Sequence, residues 1–476
     1  ALHNLFLLRF SLHIFLCNAI SGRDNFVMKK AVNVDSLFLF QFIFSHMSSK
    51  QQSVNIFWFR RDLRLVDNVG FSNALKGKLP VVPIFIFDSN IIKELPKDDA
   101  RLTFIYDSLS DMHEEIKEYK SALKIYQGKP EKIWDTICND FDVQNVITNR
   151  DYEPYALERD KEVKKVLEKK EIGFYTYKDQ VIFEKDEVTK ADGLPYTVYT
   201  PYKNKWYQRF NEEMLSVPKA FKDNLHKFQS DFPSLEDIGF EKSKIEVKPF
   251  NLDDLDNYSK TRNFPSVDGT SYLSPHLRFG TIGIRQLMTK VGMDKTPFIN
   301  ELIWREFFMQ ILYYFPQVVT NNFREKYDGI QWRKDESDFE KWCRGETGYP
   351  LVDAGMRQLN ETGYMHNRVR MVTAGFLVKH LLIDWRKGEA YFAQKLLDYD
   401  LSANNGNWQW AAGTGCDAAP YFRIFNPITQ LDKFDKQRKY VKTWIAEFDT
   451  EQYPKPMVEH KFARERALEA YKKGIN

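Results

Sequence analysis

The sequence predicts an N-terminal α/β region, doubly wound on a mainly parallel five-stranded sheet, and an all-α C-terminal region, joined by a long linker wrapped on the surface. Three observations carry this. Short apolar runs alternate with amphipathic segments from Val54 to about residue 180, the alternation stops over a stretch rich in Lys, Asp, Phe and Pro, and after Tyr258 only helical periodicity remains. The divisions expected are 53–180, 181–256 and 257–476, preceded by residues 1–46 as an atypical extension.

Taken in order, Leu5–Phe15 and Leu37–Phe44 are too short to span a membrane, which needs about 20 apolar residues, and the functional chain is expected to start near Met47. Val54–Phe59, Val81–Phe87, Leu123–Tyr126 and Val143–Thr148 then read as buried parallel strands, with helices such as Ala100–Tyr119 and Glu158–Lys170 between or after them. Between Val181 and Asp256 the pairs Thr200-Pro201 and Val217-Pro218 read as breakers. Helical periodicity resumes in Ile284–Val291, Phe298–Phe315, Tyr349–Thr362, Arg368–Ile383 and Glu389–Leu397.

Composition narrows the function. With 476 residues, 43% hydrophobic and 28% charged, the chain is globular and long enough for more than one packed region. Lys and Arg number 69 against 66 Asp and Glu, a formal net charge of +3, so a nucleic-acid partner would need a local groove rather than a basic surface. Four scattered cysteines give neither a disulfide framework nor a zinc knuckle and fit a reducing, cytoplasmic compartment. Nine histidines without helical pairing argue against a metal site. No glycine-rich phosphate motif follows the first strand, which excludes a nicotinamide or P-loop site there, and no G-x-S-x-G elbow supports a hydrolase. Aromatic content is high at 15%, with seven of the ten Trp beyond residue 250.

On a helix, Glu301, Trp304, Arg305 and Phe308 share one face, placing an acid, a large ring and a cation together. A carboxyl group beside a Trp in a dry cleft is a candidate proton donor. The runs Tyr364-Met365-His366-Asn367-Arg368-Val369-Arg370-Met371, Asp384-Trp385-Arg386, Leu397-Asp398-Tyr399-Asp400 through Asn404-Asn405-Gly406-Asn407-Trp408-Gln409-Trp410, and Asp417 through Pro427 resemble the flavin-binding core of the photolyase and cryptochrome family. Phe57 through Arg64 resembles its N-terminal signature, and Asp268 through Pro275 its phosphate loop. The resemblance covers nearly everything after Met47. Met-His-Asn-Arg with the later Trp-Gln-Trp is closest to class I photolyases of cyclobutane pyrimidine dimers.

The resemblance implies a monomeric, light-driven lyase that carries FAD, active in its reduced anionic form, and binds UV-damaged DNA, with no membrane partner. A blue-light photoreceptor without repair activity is the alternative. It implies a cofactor shell of Tyr258, Thr270, Ser271, Tyr272, Leu273, Ser274, Phe298, Arg370, Asp398, Tyr399, Asp400 and Asn404, with Asn404 facing the flavin and Arg370 paired with Asp398. Trp332, Trp385 and Trp408 would relay electrons to the flavin. A flipped-out dimer would meet walls of Trp304 and Trp410, a floor of Met371, and polar contacts from Asn367 and a protonated Glu301. Arg262, Arg305, Arg368 and Lys433 would hold flanking phosphates. A second, antenna chromophore is also implied; Tyr155 and Ala156 stand where folate-binding members carry an Asn-Glu pair, which speaks against folate and leaves a deazaflavin, another flavin or none.

Overall fold

Five parallel strands, β1 (Ser53–Phe59), β2 (Val81–Asp88), β3 (Lys124–Gly128), β4 (Asp142–Asn149) and β5 (Gly173–Tyr177), pair in the order β3-β2-β1-β4-β5 in the computed structural model, which describes residues 52–475. The expectations for residues 1–46 lie outside the described residues. Alternation along β1 sends Ile56 and Trp58 to one face of the sheet and Phe57 and Phe59 to the other. The first face packs on α3 (Pro130–Asp140) and α4 (Pro154–Glu168) through Trp134, Ile137, Val163 and Leu167. The second packs on α1 (Val69–Leu75) and α2 (Ala100–Lys117) through Phe71, Leu109, Met112 and Ile116. Sequence reading did not locate β5, whose residues Gly173–Tyr177 are only partly buried at the sheet edge and so lack an apolar run.

The linker differs from expectation, because it contains α5 (Tyr199–Arg209) across the Thr200-Pro201 pair. Proline is tolerated in a first helical turn, where its missing N–H costs nothing. Tyr199, Tyr202 and Trp206 fall on one face and enter a core shared with α7 (Ile284–Val291) and α8 (Thr296–Tyr314). Buried Glu306 on α8 ties the linker down, accepting from Ile182 N at 2.5 Å and Trp206 Nε1 at 2.7 Å.

Beyond α6 (Leu273–Phe279), α7 and α8, the helical part comprises α9 (Glu336–Arg344), α10 (Pro350–Thr362), α11 (Asn367–Gly375), α12 (Trp385–Lys395), α13 (Leu401–Ala412), α14 (Pro427–Phe434) and α15 (His460–Ile475), with shorter turns between them. The single helix expected over Arg368–Ile383 is α11 followed by a π-helical turn, Phe376–His380. The Asn404–Asn407 run is helical despite its poor helix propensity. Gly406 permits this, because any β-carbon there would overlap the Phe308 ring.

Buried ion pairs join the α/β and helical parts. Arg285 on α7 reaches Asp67 at 2.6 Å and Asp179 at 2.7 Å, and Arg64 reaches Asp179 at 2.6 Å. The Asp67 carboxylate also accepts from Gln286 N, capping α7 from across the junction in space that Gly283 leaves open. Among the described residues no helix is long and apolar enough to cross a membrane.

Candidate cofactor and substrate cavity

One cavity of about 710 Å³ opens in the helical part. The segment Thr270–Ser274 leads into α6 along one wall, Phe298, Glu301 and Arg305 project from α8, and Asn367, Arg370 and Met371 from α11. Asp398, Tyr399 and Asp400 lie before α13, which adds Asn404, Trp408 and Trp410. Tyr258 also lines it, its ring 5.2 Å from that of Phe298. Each of these was singled out from the sequence. Lys248, Tyr364, His366, Asn407 and Trp444 line it too and were missed as site residues, since their signal is spatial.

Arg370 donates to Asp398 at 2.9 Å and to Met365 O at 2.8 Å, the pairing expected. Asp400 is anchored more heavily. It caps α13 by accepting from Ala403 N at 3.1 Å, takes 2.6 Å from Arg61 at the end of β1, and lies 3.5 Å from Arg278. Despite burial, these cations hold its carboxyl well below the usual range. Asn404 gives its amide N–H groups to Glu389, at 2.8 Å to Oε1 and 3.1 Å to the main-chain oxygen. Burial raises the Glu389 carboxyl.

His366 caps α11, its Nδ1 accepting from Arg368 N at 3.1 Å, and burial with Arg368 and Arg370 nearby lowers its imidazole to about 4. The neutral ring therefore fixes the helix that carries Asn367, Arg370 and Met371.

Several expectations need correction. Glu301 does not stand free in the cavity, because Arg262 donates to its Oε1 at 2.5 Å. For the same reason Arg262 is not free for phosphate in this state. Arg305 does not face outward to DNA. It donates to Gln180 O at 2.8 Å and Leu277 O at 3.5 Å, lines the cavity, and has no carboxylate at ion-pair distance among the described residues. Burial, with Arg61 and Arg278 nearby, lowers it to about 10. Trp304 is not a cavity wall. Its indole is absent from the cavity lining and stacks on Tyr199, with centroids 3.5 Å apart, and on Phe308 at 5.4 Å.

Arg368 lies outside the lining, 4.5 Å over Phe434 and bonded to Asn263 at 2.6 Å, while Lys433 is exposed on α14. Tyr272 turns its hydroxyl to Asp268 at 2.6 Å from a left-handed backbone position. Trp385 and Trp408 are buried in one core and Trp332 packs against it. Trp408 meets Phe392 at 4.9 Å and Trp332 meets Tyr471 at 5.9 Å. No group of three or more His, Cys, Asp or Glu poised for a metal occurs among the described residues.

A doubly wound sheet, a helical part with one deep mixed cavity, and a Trp-rich core behind it define a cofactor-dependent protein of two parts. Residues 298–450 match the family profile "FAD binding domain of DNA photolyase" and residues 55–220 match "DNA photolyase". A Halobacterium salinarum protein named deoxyribodipyrimidine photo-lyase is 35% identical, covering 88% of this chain and 99% of its own. Two solved structures superpose closely. One, a class III photolyase from Agrobacterium tumefaciens, has a TM-score of 0.80 at 34% identity, covering 90% and 99% of the two chains. The other, an archaeal photolyase from Sulfolobus tokodaii with two FAD molecules, has a TM-score of 0.77 at 35% identity, covering 88% and 99%. The chain belongs to the photolyase and cryptochrome family.

Proposed function

We propose that the protein is a deoxyribodipyrimidine photo-lyase, which uses light to split cyclobutane pyrimidine dimers in DNA with FAD as cofactor. The observation that carries this reading is that one cavity is lined both by Arg370, Asp398 and Asn404 and by Glu301, Asn367, Met371 and Trp410. The residues fit FAD. The volume suits a dinucleotide, hydroxyls and main-chain groups of Thr270–Ser274 suit its phosphates, and Arg305 supplies a cation that no carboxylate among the described residues neutralises at ion-pair distance. Reduced FAD, when bound, supplies the light-driven electron that opens a dimer.

The chain's own residues do the rest. Arg370 and Asp398 hold each other so that the cavity carries a fixed dipole, and Arg61 and Arg278 offset Asp400. Asn404 is oriented by Glu389, which leaves its carbonyl oxygen as the free end of the amide. Trp410 and Met371 offer apolar contact to a flipped lesion, and Asn367 offers an amide at the exposed start of α11. Glu301 reaches the lesion only after leaving Arg262. Trp408, Trp385 and Trp332 would serve as the electron route inward, and Asn367 and Met371 favour the class I assignment.

The test is repair itself. Reduced protein with dimer-containing oligothymidylate should restore thymines under blue light and not in darkness. Intact dimers after illumination of flavin-loaded protein would reject the assignment.

A further inference from the structure

The segment Thr270–Ser274 brings hydroxyls and main-chain groups to the cavity but no cation, and the run Asp268–Pro275 around it carries an acid and neither Lys nor Arg. A diphosphate held there draws its positive charge from other elements. Arg370 and Arg278, which also line the cavity, are committed to Asp398 at 2.9 Å and to Glu153 at 2.7 Å. Lys248, exposed on the linker, lines the same cavity and has no carboxylate at ion-pair distance among the described residues.

Lys248 is built into that wall at three points. Its main-chain N–H donates to the Tyr364 hydroxyl at 3.0 Å, and its carbonyl accepts from His276 Nε2 on α6 at 2.9 Å. Its ammonium rests 4.4 Å over the Tyr272 ring, with Nζ 3.2 Å from the Tyr272 hydroxyl. Further along the linker, Asn251 N–H donates to Ser271 O at 2.9 Å, so the linker's main chain is bonded to the Thr270–Ser274 segment itself. Tyr272 holds a left-handed backbone conformation, φ 50°, which L residues rarely adopt, and its ring meets Tyr364 edge-on at 5.4 Å. The Tyr272 hydroxyl donates to Asp268 at 2.6 Å and so turns a lone pair to Lys248.

A lysine on a free stem gives up rotamer freedom when it binds an anion. One whose main chain is bonded on both sides, and whose ammonium already rests on a ring, gives up less. The ammonium has three donors, so it can keep the Tyr272 contact and turn another N–H to a phosphate oxygen, a stronger acceptor than a neutral hydroxyl.

We propose that Lys248 is a cofactor-binding residue supplied by the linker, its ammonium paired with the diphosphate of FAD and propped by Tyr272. The linker then retains the cofactor as well as connecting the two parts. The inference rests on the reading that FAD fills this cavity with its phosphates on Thr270–Ser274.

The rate at which the flavin-loaded protein releases FAD, followed by flavin fluorescence at several salt concentrations, tests it. Lys248→Met keeps much of the stem and removes the charge. It should speed release about 3- to 10-fold at low salt, the range of a charge-assisted contact reduced by exposure, and the difference from the parent should shrink as salt rises. Lys248→Arg should stay within about twofold of the parent, since it keeps the charge. Parental release by Lys248→Met at low salt overturns the inference. So does release that is faster by the same factor at every salt concentration, the mark of altered packing without a charge contact. A parent that takes up no FAD removes the reading beneath it. If the methionine variant holds too little flavin to follow, Lys248→Gln is judged by the same outcomes.

Discussion

Gly388 on α12 lies against the Trp408 indole on α13, so closely that a β-carbon at residue 388 would overlap the ring and the Leu377 side chain. The absence of a side chain lets the helix that starts with Trp385 approach the one that carries Trp408. Gly388→Ala should therefore cost about 1–3 kcal/mol of overpacking against about 1 kcal/mol gained in helix propensity. A lower melting temperature is expected, with slower photoreduction of bound flavin and normal repair once the flavin is chemically reduced. Parental photoreduction with the indole displaced would count against Trp408 as the inner member of the relay.

The ion pair between Glu301 and Arg262 makes a second prediction. Glu301→Gln releases Arg262 to bind phosphate while removing the acid from the lesion site. Affinity for undamaged DNA should rise and its salt dependence steepen by about one phosphate contact, while preference for damaged DNA falls. Binding isotherms at several salt concentrations check this. A parallel loss of affinity for both DNAs would show that the pair assembles the site rather than guarding it.

The legible parts of this molecule were those encoded locally. Strands β1, β2 and β4 are buried on both faces and so stand out as apolar runs, and the cavity-lining residues fall within compact motifs. What stayed hidden depends on distant partners. Asn404-Asn405-Gly406-Asn407 has poor helix propensity and becomes helical because Gly406 packs on Phe308 from α8. Arg305 reads as one more cation on a helix until Gln180 and Leu277 are seen to turn it inward. Tyr199, Tyr202 and Trp206 carry a helical spacing that the neighbouring Pro201 obscured, although proline early in a helix is no obstacle.

Acid sensitivity follows from His366. Its imidazole titrates near 6.5 in the unfolded chain and near 4 in the folded protein, so the unfolded state binds the proton first. The stability it contributes is fully present above about pH 6.5 and is lost as pH falls toward 4, by an amount on the order of 3 kcal/mol. Buried His380, lowered to about 3, acts with the same sign. His366→Asn keeps an N-cap acceptor for α11 and removes the titration. Denaturant melts between pH 7 and 4 should lose stability less steeply in that variant than in the parent. Identical slopes would mean that His366 is already protonated or exposed in the native state.

Arg305 decides between two uses of a cation. As a phosphate ligand for DNA it would contribute to the salt dependence of binding; as a cavity cation it would hold the cofactor. Its guanidinium is held by the main-chain carbonyls of Gln180 and Leu277 and lines the cavity with no carboxylate at ion-pair distance among the described residues, an arrangement that an anionic ligand completes. Arg305→Met should therefore weaken FAD binding by an amount on the order of tenfold or more, the range for losing one charge-assisted hydrogen bond. Arg305→Lys should recover only part of this, because an ammonium cannot make the same forked contacts. In preparations reconstituted to full flavin content, the salt slope for DNA should match the parent. A shallower slope at unchanged FAD affinity would return Arg305 to the DNA surface.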